Sequence, residues 1–198
     1  MIHHQDPHMT VEKIVVGPLD NNAYVVVCRS TGAAVMIDAA DDPERLVDAV
    51  DGLDLRMILT THGHGDHVQG VDGVAAATGA RFMIHAADEA LAGRSSDRPL
   101  EPGPIQVGDL TIEAIHTPGH TPGSMCFAVG DVVFTGDTLF PGGPGKTSGG
   151  DDFDEIIANI ERHLFGLDDP TIVMPGHGRD TTIGHERRQL EEWIARRW

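Results

Sequence analysis

Thr61-His62-Gly63-His64-Gly65-Asp66-His67 follows directly on Arg56-Met57-Ile58-Leu59-Thr60, an apolar run with the composition of a buried strand. Three histidines and an aspartate therefore cluster where a strand leaves the core. In an extended segment, residues two apart point the same way, so His62 and His64 converge on one point. Gly63 and Gly65 allow tight curvature and keep side chains out of the way. Asp66 falls near the start of a helix expected over 66–77, where the helix dipole favours a carboxylate, and Asp66 and His67 can face a second point nearby. Imidazole mixed with carboxylate suits borderline and oxygen-preferring divalent metals.

Three strand ends further along repeat this setting. His120 lies in His116-Thr117-Pro118-Gly119-His120-Thr121-Pro122-Gly123-Ser124, Asp137 in Phe134-Thr135-Gly136-Asp137-Thr138-Leu139-Phe140, and His177 in Met174-Pro175-Gly176-His177-Gly178. Each time a strand ends, a glycine precedes the polar residue and a loop follows. With the first cluster these supply seven donors, enough for two metals sharing one ligand.

Around these motifs, strands are expected at 11–16, 23–28, 33–37, 56–60, 81–84, 110–115, 124–129, 132–135 and 171–174. Asp42-Pro43-Glu44 opens a helix, with Asp42 as cap and Pro43 at the first helical position. Further helices are expected at 66–77, 86–91, 153–165 and 182–197, with loops at 93–103 and 139–150. Strand pairs and helices interleave with no composition break, which indicates one α/β domain. Residues 1–9, with His3, His4 and His8, are expected to be a tag or a disordered N-terminus, leaving the domain at 10–198.

The composition fits that reading. The 198 residues are 40% hydrophobic and 23% charged, and they include 24 glycines. The formal charge of −17 disfavours nucleic acid and anionic membranes, both of which need a basic face. Cys28 and Cys126 sit far apart in strand-like runs and are expected to be buried free thiols, with no disulfide framework to suggest secretion. No apolar run reaches the ~18 residues of a membrane span. The first residues lack the apolar stretch of a signal peptide, so a cytoplasmic location is expected.

The chain resembles the metallo-β-lactamase-fold hydrolases, closest to the hydroxyacylglutathione hydrolase (glyoxalase II) branch. The resemblance runs from about Asp20 to Glu186 and rests on the His-X-His-X-Asp-His pattern at 62–67 with the stretches 116–124 and 135–140. It implies a four-layer αββα sandwich of mixed sheets with helices outside. It implies that His62, His64 and His120 hold one metal, that Asp66, His67 and His177 hold the other, and that Asp137 bridges them. Asp38 matches an aspartate that orients a metal-bound histidine. Lys146 matches a lysine that contacts the substrate's glutathione part, while Ser148 stands where the branch has tyrosine. His85, His116, His163 and His185 match no ligand position. The implied cofactors are two divalent ions, zinc with iron or manganese as alternatives. The implied reaction is hydrolysis of a small thioester by a metal-bridging hydroxide, with Asp66 and Asp137 as the catalytic carboxylates. A one-iron persulfide dioxygenase and a lactonase are the alternative activities. The sequence specifies no oligomeric state.

Overall fold

In the computed structural model, residues 2–197 are described; Met1 and Trp198, the outer ends of the expected tag and domain, lie outside them. One six-stranded sheet has the order β1 (Ile2–Gln5), β2 (Met9–Val16), β3 (Asn21–Cys28), β4 (Ala33–Ile37), β5 (Asp54–Leu59), β6 (Arg81–Met83). The second contains β7 (Gly103–Val107), β8 (Leu110–His116), β9 (Met125–Val129), β10 (Val132–Gly136), then, after the small hairpin β11 (Leu139–Phe140) and β12 (Gly143–Pro144), β13 (Ile172–Pro175) and β14 (Thr181–Thr182). Its order is β14-β13-β10-β9-β8-β7. Both sheets are mixed: β4–β5, β5–β6 and β10–β13 pair parallel, and the other pairs are antiparallel.

The central strands bury both faces, which is why they read as continuous apolar runs. Tyr24, Val26, Val35, Ile37 and Leu59 point to a core shared with Phe127, Val132 and Phe134 of the other sheet. Their alternates Ala23, Val25, Met36 and Ile58 face outward onto Leu46, Val71 and Val74. Those three lie on or beside α1 (Pro43–Ala49) and α2 (Val71–Thr78). Cys126 and Val133 of the second sheet face Phe153, Ile156, Ile160 and Trp193. These come from α4 (Gly150–Asn159), its wide-turn continuation Ile160–Leu164, and α6 (Leu190–Arg196); α3 (Glu89–Ala92) and α5 (Ile183–Arg187) are short connectors. Three apolar interfaces separate four layers, helix–sheet–sheet–helix, as the resemblance implies. Cys28 and Cys126 are buried and free. No helix is long and apolar enough to cross a membrane.

Several elements differ from the sequence expectation. Residues 2–5 form an edge strand on β2, and His4 and His3 reach Asp131 (3.1 Å) and Asp180 (2.5 Å). The expected helix 66–77 is split into a 3-10 turn at Gly65–His67 and α2, because the N–H groups of Gln69 and Gly70 are captured by the carbonyls of Ala40 and Ala39. Asp42 precedes α1 but makes no capping bond to it; its carboxylate accepts from Gly17 N–H instead. The strand Gly103–Val107 was masked by Pro104, which an edge strand tolerates. The last helix breaks in two between Arg187 and Leu190.

Trp193 closes the outer helical layer; it is fully buried and lies 6.0 Å from Phe165, ring centre to ring centre. Trp193→Ala is expected to lower the unfolding free energy by about 3–5 kcal/mol, read from urea denaturation at an unchanged m-value. A loss under about 1 kcal/mol would mean that α6 is not part of the cooperative fold.

Candidate metal centre

β4, β5, β8, β10 and β13 all end at one rim of the sandwich, and each delivers a polar residue there. Backbone bonds sew the two sheets together at this rim, Met125 N–H donating to Thr61 O (2.7 Å) and Asn22 N–H to Gly176 O (2.7 Å), while Gly176 N–H donates to Gly136 O (2.8 Å) within the second sheet. The glycines before Asp137 and His177 are required by crowding. A Cβ on Gly176 would lie 2.4 Å from Asp137 Oδ1 and 2.7 Å from His67 Cε1. Gly136 has φ +47° and would drive a Cβ into Thr61.

The structure brings all seven expected donors together, in overlapping groups: His62, His64 and His120; His62, His67 and Asp137; Asp66, His67 and His177. His64 Nδ1 lies 3.0 Å from His120 Nε2, and His67 Nε2 lies 3.3 Å from His177 Nε2. Asp66 Oδ2 is 3.4 Å from His177 Nε2 and 3.8 Å from His67 Nε2. Asp137 sits between the groups, 3.5 Å from His67, 3.7 Å from His120 and 3.7 Å from His177.

On His62, His67, His120 and His177 the other ring nitrogen is tied down, which sets the tautomer and aim. His67 Nδ1 donates to Asp38 Oδ2 (2.8 Å), His120 Nδ1 to the Lys146 carbonyl (2.7 Å), and His177 Nδ1 to the Leu19 carbonyl (3.0 Å). His62 Nδ1 meets Thr61 Oγ1 (3.1 Å), whose hydroxyl donates to Asp38 Oδ2 (2.7 Å). Asp38, buried and with φ +57°, also accepts from Thr61 N–H (2.7 Å).

Two sorts of electrostatics result. Burial, and then the neighbouring rings of His67 and His120, hold the His62 imidazole well below its ordinary value. Burial and His120 lower His64 as well. Burial also works against a charged His67, but Asp38 beside Nδ1, with Asp137 and Asp66, outweighs it and pushes that ring up to about 9. For Asp66, burial favours the neutral acid, yet the Asn21 amide donating at 3.0 Å and the nearby His67 hold the carboxyl below its ordinary value.

His62 Nε2 and Asp137 Oδ1 are buried with no hydrogen-bond partner. Orphaned buried polar atoms of this kind cost about 1–3 kcal/mol each. Here they face a space lined by further imidazole and carboxylate donors, and that arrangement fits divalent metal ions.

The remaining candidates fall elsewhere. His85 and His116 stack on each other with ring centres 4.3 Å apart, and neither they nor His163 or His185 join a metal-competent group among the described residues. Lys146 is exposed, and its backbone rather than its side chain touches the cluster. Sequence reasoning missed Asn21, which contacts Asp66 and lies 3.4 Å from His177. It also missed Asp88, a buried acid behind the His62–His64 turn. A single polar residue at the start of a strand or in a short 3-10 turn carries no spacing signal that would have marked either.

The profile of the Metallo-beta-lactamase superfamily matches residues 16–177. The chain is 38% identical to a hydroxyacylglutathione hydrolase of Polaromonas sp., over 85% of this chain and 66% of that one. It is 32% identical to the hydroxyacylglutathione hydrolase GloC of Haemophilus influenzae, over 91% of this chain and 96% of that one. Among solved structures, that of TTHA1623 in a di-iron-bound form is 35% identical, with a TM-score of 0.78, covering 89% of this chain and 97% of that one. With two stacked mixed sheets and a histidine–aspartate cluster at their rim, the chain belongs to the metallo-beta-lactamase superfamily of metallo-hydrolases.

Proposed function

We propose that the chain hydrolyses a thioester of a low-molecular-weight thiol, using two divalent cations, zinc by expectation. On this reading His62, His64 and His120 hold one cation, Asp66, His67 and His177 the other, and Asp137 contacts both. The observation that carries it is the place of Asp137, within 3.7 Å of rings from both groups and with one oxygen unpartnered. Two relatives named hydroxyacylglutathione hydrolase, 38% and 32% identical, support the choice of thioester. A pair of cations there supplies an acidified water and a polarised carbonyl.

The chain's own residues supply the rest. Asp66 is kept ionised by Asn21 and is partly open to solvent, so it is placed to take a proton from an attacking water. Asp38 keeps the Nδ1 proton on His67 and so aims Nε2 inward. A thiolate leaves without needing a proton, since ordinary thiols have a pKa of about 8.5, so no separate acid is required. Lys146, exposed on the loop whose backbone holds His120, is placed to meet an anionic group on the thiol carrier.

The purified protein is expected to carry two metal equivalents and to turn over members of a thioester panel, including glutathione thioesters. Asp137→Ala should lose at least one equivalent and lower kcat/KM by more than the about 100-fold typical of a lost outer-sphere partner. One iron per chain, with oxygen uptake on a persulfide and no thioester turnover, would refute the hydrolase; turnover confined to lactones or β-lactams would refute the thioester. Lys146→Met should raise KM about fivefold with kcat unchanged, the loss expected of one exposed charge contact.

Metal uptake should depend on pH through His67. Its metal-free pKa is raised to about 9, so below that pH a cation must displace a proton from Nε2. Apparent affinity should climb as pH rises towards 9 and then level off. Chelator competition between pH 6.5 and 9.5 measures this, and Asp38→Asn should flatten the profile by removing the carboxylate that raises the ring. An identical slope in the variant would disprove the assignment.

A further inference from the structure

Asp88 belongs to none of the donor groups, yet it is fully buried and makes three short hydrogen bonds. Its Oδ2 accepts from Gly63 N–H (2.8 Å) and from the Thr121 hydroxyl (2.6 Å), and its Oδ1 accepts from Gly123 N–H (2.7 Å). Gly63 lies between His62 and His64. Thr121 and Gly123 follow His120, and Thr121 is braced in turn by Ser124 Oγ at 2.8 Å. One carboxylate therefore ties together the two loops that carry His62, His64 and His120, loops contributed by different sheets. The gap it spans is the one across which His64 and His120 face each other at 3.0 Å. There is no slack: a Cβ on Gly63 would lie 2.6 Å from the Asp88 carbonyl, and one on Gly123 would lie 2.6 Å from the Asp88 carboxyl carbon.

We propose that Asp88 is the positioning residue that sets the spacing of the His62–His64–His120 group and leaves the Asp66–His67–His177 group to other supports. The inference rests on the reading that these groups hold cations. None of the hydrogen bonds of the Asp88 side chain reaches the loops of Asp137 or His177; the His177 loop is held instead by Asn21, Asn22 and the Leu19 carbonyl. The residue must be a carboxylate. Two backbone N–H donors approach different oxygens, and only an ionised acid offers acceptors on both sides. Asparagine has the same shape, but either orientation of its amide points N–H at N–H, against Gly63 or against Gly123. Such a mismatch pushes the two loops apart.

The test is metal binding by the full chain, with Asp88→Asn and Thr121→Val beside the wild type. Zinc is counted by elemental analysis, stepwise affinities come from chelator competition, and cobalt(II) spectra report which group is filled. Asp88→Asn should remain folded by circular dichroism and keep one equivalent at wild-type affinity. The other equivalent, the one with the spectrum of three imidazoles, should weaken by about 10- to 100-fold. Thr121→Val removes one bond of the clamp and no charge, and it should weaken the same equivalent by a smaller factor; it also serves if Asp88→Asn does not fold. Equal weakening of both equivalents, no weakening of either, or a normal Thr121→Val would overturn the proposal while two-metal binding by the wild type stands. A wild type that binds no metal would instead remove the two-cation reading, and this inference with it.

Discussion

The carboxylate of Asp38 is the joint on which the rim is assembled. It ends β4 in a left-handed conformation and receives the Thr61 N–H, the Thr61 hydroxyl and His67 Nδ1. Those bonds fix the turn where β5 becomes the 62–67 stretch. The same Thr61 hydroxyl stands behind His62, so one buried acid backs a ring in each donor group. Thr61 also gives its carbonyl to Met125 of the second sheet, and its side chain fills the space that a side chain at 136 would need. The separation of the two sheets at the rim and the aim of two imidazoles are thereby set by one residue pair.

The sandwich makes such a joint affordable. Its three apolar interfaces bury both faces of β3, β4, β9 and β10, so the strands that carry the site are held along their whole length. Much of the site's strain and uncompensated polarity then collects at the strand ends. There the chain tolerates a non-glycine residue at positive φ, an imidazole nitrogen without a partner and a carboxylate oxygen without one. Groups of this kind persist only where the surrounding structure over-determines them, and the sheets do so here.

What was legible in the sequence follows from the same division. Donors that recur at strand ends, each preceded by glycine, could be collected without coordinates, because spacing and punctuation carry that signal. The α/β class and most strands were readable from apolar runs. The 66–77 helix was not, since its break depends on the carbonyls of Ala39 and Ala40, which arrive from the end of another strand. The edge strand at 103–107 was hidden by its glycine and proline, and the strand at 2–5 by a composition resembling a tag. Asn21 and Asp88 act through single contacts with loops distant in sequence, and no periodicity could announce them.

The two donor groups differ in how they are supported, and the difference has an electrostatic consequence. In the His62, His64 and His120 group the outer nitrogens of two rings meet neutral partners: a threonine hydroxyl behind His62 and a backbone carbonyl behind His120. Burial and mutual repulsion hold the His62 and His64 rings below their ordinary values. Around His67 and His177 the group contains Asp66 itself, and His67 leans on Asp38. A carboxylate partner makes an imidazole more basic than a carbonyl or hydroxyl does. The His67 side is therefore the more anionic half of the rim, and there a cation competes with a proton on His67. Asp137, between the halves, is the element through which charge placed on one side is felt by the other. In a chain of formal charge −17, Asp38, Asp66 and Asp137 concentrate negative charge at this rim, against two sets of imidazoles.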